Sequence, residues 1–185
     1  MPPINNVMEP SGWLSGVSII ASPNWDQRPT NTIIDLLVIH SISLPPGEFG
    51  GPWIDALFQN KLDINAHSSF TTLQGLRVSA HVLIRRNGAV TQYVSFKARA
   101  WHAGVSHFQG RTQCNDFSIG IELEGYDTVP FTEIQYTTLM KITHLLQRAY
   151  PAITRQRIVG HNDIAPGRKT DPGPLFNWKF YLESL

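Results

Sequence analysis

The apolar pattern of the chain changes period from block to block, and each period predicts an element. Residues 32–42, TIIDLLVIHSI, are almost continuously aliphatic and rich in β-branched side chains. Such a run suits a central strand covered on both faces, with His40 at its C-terminal end. The cluster LPPGEFGGP stops it at once. Residues 53–62 predict a short helix with Trp53, Leu57 and Phe58 on one side, and residues 63–76 a polar loop. Within residues 77–96 two alternating runs flank Asn87-Gly88, a pair that accepts the positive φ of a tight turn, so a hairpin is expected. Residues 117–125, FSIGIELEG, alternate with period two. Ile119, Ile121 and Leu123 share one face; Gly120, Glu122 and Glu124 share the other. Residues 131–151 carry the helical period, with Thr132 and Gln135 spaced as a capping box and Pro151 as a stop. The expected buried stripe is Ile134, Leu139, Ile142, Leu145 or Leu146, and Ala149. Residues 157–161 read as a short strand that delivers His161 at its end.

Two stretches lack a period. Residues 1–31, rich in Pro, Ser and Asn, read as an irregular arm. Residues 99–116 read as a long Gly/His/aromatic loop, and long ordered loops in compact domains are often functional. Strands mixed with helices predict an α/β fold, a mixed β-sheet flanked by helices. The length suits one domain over residues 1–185, with the arm packed on it.

Composition narrows the function. A formal net charge of +1, with no Lys/Arg block, gives no electrostatic case for a nucleic-acid partner. No run is long enough to span a bilayer, so no membrane partner is expected. Lys and Arg are absent before Arg28, and GVSIIA is too short for a signal-peptide core, so the expected location is the cytoplasm. The single cysteine, Cys114, cannot form an internal disulfide and reads as a small buried filler. No G-x-G-x-x-G or Walker pattern appears, which leaves nucleotide binding unsupported. Monomer is the default state.

The candidate chemistry sits at strand ends. His40 and His161 each end a strand, and Asp171 lies in the stiff segment KTDPGP. Catalytic zinc takes three protein ligands and leaves a fourth position open, a rule that two histidines and a carboxylate satisfy. Spacing alone leaves the competing reading open, that these are scattered core or surface residues. Glu122 or Glu124 could act as a general base, and periodicity cannot choose between them; a solvated sheet face is the alternative for both. Gly120 should leave space on that face. Among the other histidines, His81 reads as a hydrogen-bonded core residue and His102, after Trp101, as a substrate wall. His67 and His107 read as solvent-facing, and His144 as packing or surface.

The blocks VIHSISLPPGEFGGPWIDALF, RVSAHVLIRRNG, RAWHAGVS, CNDFSIGIELEG and GHNDIAPGRKTDPGPLF, taken in order, resemble the zinc-dependent N-acetylmuramoyl-L-alanine amidases, and within them the cytoplasmic 1,6-anhydro type of peptidoglycan recycling. The likeness runs from about residue 10 to residue 180. It implies the mixed-sheet fold shared with peptidoglycan recognition proteins. It implies one Zn2+ held by His40, His161 and Asp171, with Glu122 and Lys169 catalytic. It further implies a muropeptide substrate, cut between 1,6-anhydro-N-acetylmuramic acid and L-alanine, and control of β-lactamase induction. Arg77 is nominated for a peptide carboxylate and Trp101 for the sugar face, with a core anchor as the alternative for Trp101. Two positions depart from relatives: Ser41 stands where several have Asn, and Gln113 where some have Arg. The rival functions are an amidase of intact peptidoglycan and a non-catalytic muropeptide-binding module.

Overall fold

The structure, a computed structural model, describes residues 7–185. Along the chain the strands are β1 (Ser18–Ile19), β2 (Trp25–Asp26), β3 (Leu36–Ile42), β4 (Val82–Ile84), β5 (Val90–Gln92), β6 (Arg99–Ala100), β7 (His107–Phe108), β8 (Arg111–Thr112), β9 (Ser118–Glu124) and β10 (Ile158–Gly160). The helices are α1 (Trp53–Phe58), α2 (Glu133–Ala149), α3 (His161–Ile164) and α4 (Trp178–Glu183). Six strands form one mixed sheet in the order β1-β5-β4-β9-β3-β10. Its pairings are parallel except in the β4–β5 hairpin. Parallel strands need cover on both faces, which is why β3 reads as an unbroken apolar run. The hairpin turns at Gly88, whose φ is 80°; Asn87 keeps an ordinary φ.

The sheet separates two kinds of surface. Leu37 and Ile39 of β3 and Ile119, Ile121 and Leu123 of β9 pack with Leu139, Ile142, Leu145 and Leu146 of α2 in the largest core. On the opposite face, α1 covers Leu83 and Tyr93 through Ile54, Leu57 and Phe58, while Leu36 and Val38 pack with Phe117 and Ile164.

The α2 stripe differs from the expectation at both ends. Ile134 is 47% exposed and Ala149 lies at the surface, while Gln135, Thr138 and Thr143 are buried. Gln135 closes the capping box with Thr132, and its amide donates to the carbonyls of Glu124 (2.9 Å) and Ile84 (3.3 Å). Carbonyls at the ends of β4 and β9 need a donor, so the helix presents an amide there rather than an aliphatic chain.

The arm is more ordered than its composition suggests. β1 pairs parallel with β5, β2 pairs antiparallel with β6, and Leu14, Ser22 and Asn24 are buried. Side-chain bonds hold it. Gln92 accepts from the Leu14 N–H (2.7 Å), and Arg28 donates to the carbonyls of Asn115, Asp116 and Ser118 at 2.8–3.0 Å. The first six residues of the predicted arm lie outside the described residues. The 63–76 stretch holds a 3-10 helix, Ser68–Leu73, that His67 caps and Phe70 anchors. The 99–116 stretch holds the β7–β8 hairpin and a 3-10 turn at Cys114–Asp116, with Cys114 buried.

His81, just before β4, is a hydrogen-bonded core residue. Its Nδ1 accepts from the Gly120 N–H (3.0 Å), and its Nε2 lies 3.2 Å from Ala98 O. Burial, with Arg28 adding to it, holds its pKa down to about 3. An unfolded histidine titrates near 6.5, so between these values the unfolded chain takes a proton that the folded chain refuses. The contribution is complete above about pH 6.5 and is lost as pH falls toward 3. Between pH 7 and pH 5 it should account for roughly 2 kcal/mol of lost stability. His81→Asn should therefore show a smaller drop than the wild type in urea unfolding over that range; equal drops would exclude the assignment.

Candidate metal centre and active site

Parallel pairing of β3 and β9 sets His40 directly opposite Glu122, and Leu83 of β4 flanks Glu122 on its other side. The pairing of β10 with β3 brings His161, the first residue of α3, to the same end of the sheet. The segment after α3 returns Asp171, whose carbonyl accepts from the Asn162 N–H at 3.0 Å. Three atoms then meet: His40 Nδ1 to His161 Nδ1 is 3.0 Å, His40 Nδ1 to Asp171 Oδ2 is 3.1 Å, and His161 Nδ1 to Asp171 Oδ2 is 3.0 Å. Both histidines are buried and Asp171 is partly so.

Protons cannot satisfy all three edges of this triangle. The far nitrogen of each ring already has a neighbour: His40 Nε2 stands 2.9 Å from His102 Nδ1, and His161 Nε2 stands 3.2 Å from Ala103 O. Ligands at about 2.0–2.1 Å around a tetrahedral cation stand about 3.3 Å apart. The triangle is a slightly contracted face of such a shell, so this donor set fits a zinc-like ion. Burial holds His40 below the usual imidazole range, to about 4, against the pull of Asp171. A neutral ring is the form that offers a lone pair to a cation.

The two glutamates of β9 have opposite surroundings. The Glu124 carboxylate accepts from Gly50 N–H (2.7 Å), Arg85 (3.0 Å) and Arg86 N–H (3.0 Å), which ties the 47–52 loop and the hairpin to the sheet. Glu122 Oε2 is buried with no hydrogen-bond partner among the described residues. Burial drives the Glu122 carboxyl well above its usual range; Asp171 adds to this and Lys169 opposes it. Neither glutamate lies on a solvated face.

The triangle lies between two clefts. One, of about 220 Å³, has Glu122, His40, Lys169 and Asp171 at its base and Leu44, Leu57, Leu73 and Leu76 among its walls. The other, of about 460 Å³, is bordered by Ser41, Ser43, Tyr126, Arg168, Lys169 and Asp171. Lys169 is exposed and faces both. Arg77 lies in a neighbouring cavity that shares Leu57, Leu73 and Leu76 with the first cleft. Trp101, half-buried, lines neither cleft; its backbone N–H donates to Ser79 Oγ (3.0 Å) and its carbonyl accepts from the N–H of Ser79, which does line the first.

His102 lines the first cleft, as a substrate wall would, but does not stand free in it. Its ring lies behind His40, buried, with Nε2 3.1 Å from Ser118 Oγ. Burial, with His40 adding to it, holds this ring well below the usual imidazole range. Gly120 does not leave open space either: a Cβ there would come within 2.5 Å of the His102 ring. Asn115 Oδ1 accepts from the backbone N–H groups of both His102 (3.0 Å) and Ala103 (2.8 Å). A glycine two residues before a buried acid is a faint signal in one sequence, and nothing local ties it to a histidine eighteen positions earlier. Of the remaining histidines, His107 and His144 are exposed.

A mixed sheet that gathers two histidines, an aspartate and an unpartnered glutamate at one end has the architecture of a metal-dependent hydrolase. Residues 29–174 match the family model described as N-acetylmuramoyl-L-alanine amidase, and the chain belongs to that family. A relative from Escherichia coli (strain K12), named 1,6-anhydro-N-acetylmuramyl-L-alanine amidase AmpD, is 59% identical over 167 residues, covering 90% of this chain and 91% of its own length. A crystal structure of a Se-Met AmpD derivative superposes with a TM-score of 0.94 at 55% identity, covering 97% of this chain and 99% of that one. The E. coli amidase AmiD, solved with the substrate anhydro-N-acetylmuramic acid-L-Ala-D-gamma-Glu-L-Lys, superposes with a TM-score of 0.60 at 33% identity, covering 85% of this chain and 60% of that one. No helix among the described residues is long and apolar enough to cross a membrane.

Gly120→Ala should push the His102 ring out of its seat. Overpacking of this kind costs about 1–3 kcal/mol. Urea unfolding of the variant checks it, and an unchanged midpoint would show that the ring relaxes freely.

Proposed function

We propose that this protein is a zinc-dependent hydrolase of the amide between the lactyl group of 1,6-anhydro-N-acetylmuramic acid and the L-alanine of muropeptides. It would work in the cytoplasm as a monomer in cell-wall recycling, and by clearing these muropeptides restrain β-lactamase induction. The observation that carries the reading is the His40, His161 and Asp171 triangle beside the unpartnered Glu122. The identity to an anhydro-muramyl amidase over nine-tenths of the chain supports the substrate.

In this reading His40, His161 and Asp171 hold one Zn2+. The chemistry such an ion supplies is Lewis-acid polarisation of a carbonyl and a lowered pKa for water. Glu122, with no competing partner, takes the proton of the attacking water and passes it to the alanine nitrogen as the C–N bond breaks. Burial, with Asp171 beside it, favours the protonated form of the Glu122 carboxyl, which cannot take a proton. A dication held by the triangle would favour the ionised form, the one that serves as the base. Lys169 faces the carbonyl oxygen as negative charge grows there, so its ammonium favours the transition state over the ground state. Arg77 would bind a stem-peptide carboxylate with its two-pronged donor set, reaching over the shared leucines. Trp101 would face the sugar.

Glu122→Ala should lower kcat by about 10²–10⁴ on an anhydro-muropeptide, followed by mass spectrometry of the freed peptide. Lys169→Ala should lower it about 10²-fold with little change in KM. Unaltered turnover in both variants would remove the assignment. Treatment with a chelator should abolish activity, with recovery on adding zinc. A preference for intact sacculi over anhydro-muropeptides would point instead to an amidase of the assembled wall.

A further inference from the structure

A neutral imidazole can hold a cation only through the nitrogen that lacks a proton. For His161 a backbone carbonyl sets the choice. Ala103 O, at 3.2 Å, can only accept; Arg168 Nη2 also lies near Nε2, at 3.5 Å, but it donates to the carbonyls of Ala103 (2.6 Å) and Val105 (2.7 Å), so Nε2 carries the proton and Nδ1 keeps its lone pair. His40 has no carbonyl behind it. Its Nε2 faces His102 Nδ1, another ring nitrogen that can give or take.

The direction is fixed one step further back. Ser118 Oγ lies 2.5 Å from Cys114 O and must donate to it. The serine oxygen is then an acceptor toward His102 Nε2, at 3.1 Å. That puts the His102 proton on Nε2 and its lone pair on Nδ1. His40 therefore donates from Nε2, and its own lone pair, on Nδ1, faces His161 and Asp171. We propose that His102 is a positioning residue for the metal centre, and that the Cys114 carbonyl, acting through Ser118 and His102, fixes the tautomer in which His40 can bind the ion.

The surroundings of His102 are built for this role. The absent Cβ of Gly120 makes room for the ring, and Asn115 Oδ1 holds its backbone N–H. A histidine serves here where a carboxylate would not, because it accepts from His40 without adding a third negative charge beside Glu122 and Asp171. The outer partner of a ligating histidine fixes its orientation and raises its basicity, and losing it typically costs 10–100-fold in metal affinity.

The proposal rests on the zinc reading above, and the experiment separates the two. Zinc affinity is measured by competition with a chelator, and ring protonation by ¹⁵N NMR of zinc-free protein. The wild type should show His40 protonated on Nε2. His102→Leu should lose roughly 10–100-fold in zinc affinity and show mixed His40 tautomers. His102→Asn, whose carbonyl oxygen can stand in for Nδ1, should recover most of the affinity, and Ser118→Ala should fall between. If His102→Leu does not fold, the contrast between Ser118→Ala and His102→Asn decides. Equal zinc affinity in the wild type and a folded His102→Leu would overturn the proposal and leave the zinc reading standing. So would an Nδ1-protonated His40 in the wild type. A wild type that takes up no zinc would overturn both.

Discussion

The register between β3 and β9 is the constraint on which the rest depends. It is set by the face the site does not use. Leu37, Ile39, Ile119, Ile121 and Leu123 must all meet α2, and the period of two then turns His40 and Glu122 to the other side. A slip of one residue would reverse every side chain of the strand that moved. Burying each aliphatic side chain is worth about 1.5–3 kcal/mol, so displacing the three of β9 would cost roughly 5–9 kcal/mol, a large share of a whole domain's stability. Leaving one carboxylate oxygen of Glu122 unpartnered costs about 1–3 kcal/mol. The apolar face therefore outweighs the polar one and can hold a reactive acid in an unfavourable place.

Much of this was legible in the sequence where the signal is local. The period-two run of β9, the aliphatic run of β3, the hairpin around Gly88 and the capping box of α2 each lie within about twenty residues, and the structure forms them there. The burial of Gln135 was not legible, because its partners are carbonyls of Ile84 and Glu124, and hydrophobic periodicity does not register a polar group that is buried to donate. The arm failed for a related reason: Arg28 and Gln92 hold it through bonds that leave no pattern in composition. At the site, the residue types were visible, and the resemblance gave them roles that spacing could not. The part played by His102 was hidden, since its partner His40 lies 62 positions away.

Glu122 and Glu124 show how one strand face can carry two functions. Both point the same way, two residues apart. Glu124 sits where the 47–52 loop and the hairpin supply three donors, and it works as a structural clasp. Glu122 sits where His40 and Leu83 are its register neighbours, and neither supplies it a donor. What divides them is the company that the neighbouring strands bring.

Asn115 has a wider reach than its size suggests. One amide oxygen receives consecutive peptide N–H groups, and the two residues so held stand behind different histidines: the His102 ring behind His40, the Ala103 carbonyl behind His161. The aim of both imidazoles is thus referred to a single fixed point. Beyond that point the chain runs out to Val105, 87% exposed, and to the β7–β8 hairpin. Arg168 links this exposed loop back to the centre: one guanidinium nitrogen donates to the carbonyls of both Ala103 (2.6 Å) and Val105 (2.7 Å), so the loop and the support behind His161 share one cation.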